Sequence, residues 1–276
     1  MSIERSNNWN NVAMPITRTG HALGRRLRRL RKAAHLSLRD VAATSIVTGP
    51  STLLRLEEGE RTRMTFPTIG ALARLYGAPP ELCVELEEMF KAAQRDKPWS
   101  DDFTGNIIKG FSWFLEMEAQ AESMKIYAPD LVIGLLQTRD YAEALSRQHD
   151  ADDEQLRDWM TVLERRWAAV WERDPAPGIK VLMGEWALRG RVSEEQTARL
   201  RSAGAEVRVL PIADGPYPFL RGPFTLLTFS GSEDEPDCLY TEGLEGSRYE
   251  EDHETTALYH RVFDRMFGKA RRIEEF

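Results

Sequence analysis

Hydrophobic residues recur at helical steps through the first third of the chain. Leu23, Leu27, Leu30 and Ala34 fall three or four positions apart, so one apolar stripe predicts a helix from about His21. Ser37 suits the cap of a second helix, and Asp40, three residues on, gives the spacing of a capping box. That helix would bury Leu38, Val41 and Ala42 and end near Ser45. After the turn Ile46-Val47-Thr48-Gly49, Pro50 fits the first turn of a third helix carrying Leu53, Leu54 and Leu56, which Gly59 stops. A fourth starts at Pro67 with Ile69, Leu72, Ala73 and Tyr76 inward, and a fifth covers 81–94. The pattern predicts a compact all-helical domain over 21–95, with a flexible arm over 1–20 and a linker over 96–106.

From residue 107 the rhythm is different. A helix is predicted over 107–125, its Phe111, Trp113 and Phe114 packing inward and not offering a base-stacking platform, because the surroundings are acidic. An extended approach, a tight turn at Gly134 and a short helix occupy 127–145. A long amphipathic helix over 152–173 turns Leu156, Trp159, Val162, Leu163, Trp167 and Val170 inward, and the run Asp174-Pro175-Ala176-Pro177-Gly178 ends it. Then IKVLMG and AEVRVLP read as parallel strands on either side of the helix SEEQTARLRSAG. GPFTLLTF and DCLYTE read as a hairpin around a polar loop, before a last helix over 250–268. The fold class is therefore mainly α, with a mixed α/β second domain over 107–276 in which helices surround a small mixed sheet.

Charge sharpens the division. Up to Gly77 there are thirteen Lys and Arg against five acids, a surplus of +8; the whole chain carries −7, so the remainder carries −15. A basic head on an acidic body suits a head that meets a polyanion. Two short helices joined by a tight turn, behind a basic first helix, describe a helix-turn-helix. In that geometry the third helix enters the major groove of double-stranded DNA and turns Pro50, Ser51, Thr52 and Arg55 to base edges. Phosphates would be met by Arg25, Arg28 and Arg29 on the first helix, Ser37 and Arg39 at the start of the second, and Arg61 and Arg63 after the third.

The stretch LGRRLRRLRKAAHLSLRDVA leading into PSTLLRLEEGER resembles the XRE (lambda-repressor-like) helix-turn-helix family, whose signature at the end of the recognition helix corresponds to Arg55-Leu56-Glu57-Glu58-Gly59. Leu54 stands where that family usually carries a small polar residue. Farther on, GLLQTRDYA, RDPAPGIKVLMGEWALRG, VRVLP, GPFTLLTF and LYTEG resemble, in this order, a large bacterial group of XRE-type regulators of the Scr/WhiJ-like, antitoxin-like kind. The C-terminal domain of that group has no assigned function. The resemblance implies a five-helix lambda-repressor-like head, a regulatory role, and a small partner protein encoded by a neighbouring gene.

Catalytic chemistry has little support. No P-loop, GxSxG, HExxH or glycine-rich dinucleotide fingerprint occurs, and Cys83 and Cys238 lack any close cysteine partner. His253 and His260 share a helix face, which is better read as a solvated face than as a metal site. Glu185 and Glu242, near predicted strand ends, are a candidate carboxylate pair lining a ligand or partner pocket; Gln137 and Tyr141, one turn apart after Gly134, are candidates for its polar floor. No cofactor or metal is expected, nor an enzyme. No apolar run is long enough for a membrane helix and the N-terminus lacks the apolar core of a secretory signal, so a cytoplasmic protein is expected. The reading is a sequence-specific transcription regulator, acting as a homodimer because one helix-turn-helix reads a short half-site, whose C-terminal domain senses a small-molecule effector or a partner. The alternative is an antitoxin-like protein that neutralises a small partner and uses DNA binding for autoregulation.

Overall fold

A computed structural model describes residues 18–60, 62–95, 111–148, 151–190, 192–217, 220, 222–229, 236–243 and 246–276. The chain divides into two compact units, Met1–Asp101 and Asp102–Phe276.

In the first unit, α1 (Arg18–Ala33), α2 (Leu38–Ala43), α3 (Pro50–Glu57), α4 (Phe66–Leu75) and α5 (Pro80–Arg95) enclose one core. Leu23, Leu27, Val41, Leu53, Leu56, Ile69, Leu72, Ala73 and Tyr76 lie in it, with Cys83, Leu86 and Phe90 from α5. The expected capping box forms: the Ser37 hydroxyl accepts from the Asp40 amide and the Asp40 carboxylate accepts from the Ser37 amide at 2.7 Å. Gly59 ends α3 with a left-handed φ of +79°, where a Cβ would come within 2.7 Å of the His21 backbone. One expectation needs shortening. The arm predicted over 1–20 gives way to helix at Arg18, and its first 17 residues, like the linker over 96–106, lie outside the described residues.

The second unit is built on a seven-stranded mixed sheet. Its elements are α6 (Phe111–Glu118), β1 (Ser123–Ala128), α7 (Arg139–Gln148), α8 (Asp153–Trp171), β2 (Gly178–Gly184), α9 (Trp186–Arg189), α10 (Glu194–Ser202), β3 (Ala205–Leu210), β4 (Phe224–Thr228), β5 (Cys238–Gly243), β6 (Gly246–Glu250), α11 (His253–Phe267) and β7 (Arg271–Arg272). The strand order is β6-β5-β4-β1-β2-β3-β7. β1, β2 and β3 are parallel, as expected for β2 and β3; β4, β5 and β6 add an antiparallel meander, and β7 closes the other edge antiparallel to β3. On one face Tyr127, Leu182, Leu210, Phe224, Leu226 and Leu239 pack with Phe263, Met266 and Phe267 of α11. On the other, Phe114 of α6 stacks on Tyr240 at 4.2 Å. With both faces covered, the strands show apolar runs such as Val181-Leu182-Met183, all fully buried.

The helix predicted over 107–125 is a correction. Within the described residues it runs only from Phe111 to Glu118, and Ser123–Ala128 is the central strand β1. Burial of Met124 and Ile126 around partly exposed Lys125 is a strand period, hidden in the sequence by the helix-compatible run before it. Phe111, Trp113 and Phe114 are buried, as packing groups should be. β6 and β7 were not anticipated, and the last helix starts at His253, not at 250.

Candidate nucleic-acid interface

α3 presents two different sides. Leu53, Leu56 and Glu57 are buried, which fixes the rotation of the helix and leaves Pro50, Ser51, Leu54 and Arg55 exposed and Thr52 half-buried. The predicted base-edge residues are thus brought together on one surface, and Leu54 stands among them. The Thr52 hydroxyl meets that of Thr48, 3.0 Å away in the preceding turn. Arg55 is half exposed and its Nε donates to Glu60, which the sequence marks only as one of the acids of the head. Glu60 sits where the chain leaves α3, so it holds the guanidinium in place on the outer surface. An arginine followed five residues later by a glutamate across a helix-ending glycine is the signal that would have found it.

A buried ion pair sets the orientation of this surface. Arg31 of α1 donates from Nε and Nη2 to the two carboxylate oxygens of Glu57, at 2.6 and 2.8 Å, and from Nη1 to the Leu36 carbonyl at 2.7 Å. Close by, Gly24 allows α1 to lie against α3: a Cβ there would be 2.6 Å from the Leu56 and Glu57 carbonyls. The Arg55-to-Gly59 run therefore splits into residues facing in (Leu56, Glu57, Gly59) and residues facing out (Arg55, Glu58). Arg31, counted in the basic surplus, is a structural cation and not part of the outer charge.

The candidate phosphate contacts have separate surroundings. Arg28, Arg29 and Lys32 are exposed and Arg25 half-buried on the side of α1 opposite its core stripe. Arg25 Nη1 lies 2.8 Å from His21 Nδ1, and burial followed by the Arg25 charge lowers the His21 pKa to about 3. Arg26 of the same helix turns instead to Glu85 of α5. Arg39 and Arg63 are exposed, and Arg61 lies outside the described residues. Ser37 is engaged in the α2 cap, and its hydroxyl, then its amide, keep the Asp40 carboxyl below the usual carboxylate range.

In the second unit the candidates do not converge. Glu185 follows β2, its carboxylate accepting from the Ile212 amide at 2.7 Å and from Arg189; the amide, then the guanidinium, hold its pKa down. Glu242 lies on β5 and accepts from the Tyr240 hydroxyl at 3.2 Å. Both are at the C-terminal ends of strands that run the same way, but β1 and β4 intervene, so their strands are roughly 14 Å apart. Gln137 and Tyr141 are directed at one peptide segment: Gln137 Nε2 donates to the Val132 carbonyl at 2.7 Å, and the Tyr141 hydroxyl accepts from the Val132 amide at 3.3 Å. Trp167 and Trp171 donate to the Gly134 and Leu135 carbonyls. Fully buried Gln196 donates to Leu136 and accepts from Thr138, at 2.7 and 2.8 Å. The GLLQT segment thus opens with a 3-10 turn, and its polar backbone is bound by side chains from α8 and α10, while Tyr141 of α7 holds Val132 just before it. Gln196 was missed because, three residues after Ser193, it resembles half of a capping box; the Ser193 cap forms, but the Gln196 side chain turns into the core. His260 meets Asp237 at 2.8 Å, and no group of three metal-ligating side chains occurs among the described residues. None of their helices is long and apolar enough to cross a membrane.

Two family profiles match the chain. One, described as a helix-turn-helix domain, spans residues 22–86; the other, described as a domain of unknown function (DUF5753), spans 111–275. The first supports a DNA-binding regulator and agrees with the all-helical unit. No curated protein matches. Among solved structures the chain is similar to TrmBL2, described as an archaeal chromatin protein with a novel mode of DNA binding: 17% identity, covering 77% of this chain and 73% of that one, with a TM-score of 0.33.

Proposed function

On the premise that the chain belongs to the DUF5753 family and carries a helix-turn-helix ahead of that domain, we propose that it is a sequence-specific transcription regulator of the XRE type. It acts in the cytoplasm as a homodimer, without catalytic activity of its own, and its C-terminal unit sets when the head binds. The observation that carries this is the exposed surface Pro50, Ser51, Leu54 and Arg55 on a helix whose rotation is fixed from behind by Arg31–Glu57. A helix presented in this way can enter a major groove with its N-terminal residues against base edges. Two such heads are needed because one reads too few base pairs for useful discrimination. The input to the C-terminal unit is a small-molecule effector or a small partner protein, and co-purification with the full-length chain distinguishes them.

Selection of duplexes from a random-sequence pool, followed by gel shift, tests the reading. Specific binding that weakens steeply with salt is expected. Arg55→Ala should relax preference at one base position, whereas Arg28→Ala should weaken binding to every sequence alike and flatten the salt dependence. No shift on any duplex at low salt overturns the proposal.

A further inference from the structure

One large apolar side chain of α3 lies outside the buried core of the head. Leu54 is 38% exposed, while Leu53 on one side of it is fully buried and Leu56 is 3% exposed. At about 100° per residue, Leu54 falls roughly 60° from Ser51 and roughly 100° from Arg55, on the exposed flank of α3 between Ser51 and the buried Glu57. It lies one turn beyond Ser51, about 4.5 Å farther along the axis, so it follows Ser51 into whatever groove receives the helix. The exposed part of that isobutyl group gains nothing from the core. A polar side chain at the same place would fit the solvated surface better.

In the major groove only one base carries an exposed apolar group, the C5 methyl of thymine; every other edge offers donors or acceptors, which Leu54 cannot satisfy. Covering a cytosine amino group or a guanine carbonyl with Leu54 would strip it of water without a replacement hydrogen bond, so the residue selects by rejection as well as by contact. We propose that Leu54 is a specificity determinant that reads a thymine methyl, in the base step next to the one met by Arg55. This rests on the DNA-binding reading above and deepens it: Ser51 and Arg55 supply polar contacts, and Leu54 sets an A·T requirement between or beside them.

The test uses the full-length protein and the best duplex recovered from random-sequence selection. Each thymine of the half-site is replaced in turn by deoxyuridine, which deletes the methyl and keeps all hydrogen-bonding groups. One replacement should weaken wild-type binding about fourfold, the factor that one buried methyl-sized group amounts to. Leu54→Ala should bind the thymine duplex about as weakly as the wild type binds the deoxyuridine one, and should not discriminate between the two. Leu54→Met, which keeps an apolar side chain of similar size, should retain most of the discrimination, and circular dichroism should show the same helix content in all three. If specific binding is found but no deoxyuridine position affects the wild type, Leu54 does not read a methyl and the inference is overturned while the DNA-binding function stands. If selection enriches no sequence at all, the function itself falls, and the inference with it.

Discussion

Both units hold helices together with a buried arginine against a buried glutamate, but the two pairs have different surfaces above them. In the N-terminal unit Arg31–Glu57 fixes α1 behind α3, and the opposite side of α3 is open. In the C-terminal unit Arg166 of α8 grips Glu118 of α6, with Nη2 to Oε1 at 2.7 Å, and supports a loop instead. A Cβ on Gly134 would come within 2.3 Å of Arg166 Nη1. Gly134 therefore rests on the pair, and the GLLQT backbone is hydrogen-bonded by side chains of α8 and α10. A motif in the head leaves polar residues facing outward, whereas a motif in the body uses them on its own backbone.

Removing one partner of either pair should have the largest effect. Glu57→Ala and Glu118→Ala each strand a guanidinium inside the protein, at a cost of about 3–5 kcal/mol. Urea or thermal unfolding followed by separate probes of each unit checks this. Glu57→Ala should also abolish DNA binding at temperatures where Glu118→Ala still binds. If Glu118→Ala loses DNA binding while the head stays folded, the two units are coupled more closely than their separate cores suggest.

Gln196→Ala comes next. It leaves the Leu136 carbonyl and the Thr138 amide buried without their partner, for roughly 2–4 kcal/mol over two groups. The loss should appear in the C-terminal unit alone, as faster hydrogen exchange at the Thr138 amide. Unchanged exchange there would mean that the loop is held by Trp167 and Trp171 without help.

Acid should distinguish the units again. His21 is held neutral in the folded head, its pKa lowered to about 3, while in the unfolded chain it takes a proton near its ordinary value of 6.5. Between those values the unfolded state binds the extra proton, so this contribution is fully present above about pH 6.5 and is lost as pH falls toward 3. The slope is at most about 1.4 kcal/mol per pH unit. His21→Gln should flatten the stability of the head between pH 6.5 and 5, and leave that of the C-terminal unit unchanged. Equal slopes in wild type and variant would mean that solvent reaches the ring and stabilises its charged form.

Much of this was legible in the sequence, for a reason that differs between the units. The head is made of local contacts: the Ser37 cap, the Pro50 start and the Gly59 stop lie next to the helices they define. In the body, β2 and β3 were legible because a short helix links them, but β1 pairs with β2 across the whole of α7 and α8, and β7 returns to β3 from the far end of the chain. Such pairings leave no periodic trace. Burial direction was the other obscured quantity. Gln137 and Tyr141 have the residue types of a ligand site, and only the position of Val132 shows that both serve one peptide.

The smallest effect gives the most controlled version of the comparison. Ser37 and Ser193 each cap a helix by accepting from the amide three residues on, at 3.2 and 3.1 Å. Ser37→Ala and Ser193→Ala should each cost about 1 kcal/mol, so they serve as matched perturbations of local stability. Ser37, however, stands at the start of α2, where a helix N-terminus adds its amides to any phosphate contact. Its replacement should weaken binding to all duplexes by a similar factor, while Ser193→Ala should leave the affinity unchanged at the same loss of stability. Equal DNA affinity in the two variants would remove Ser37 from the phosphate-contacting set, leaving the cap as its role and the phosphates to the exposed arginines.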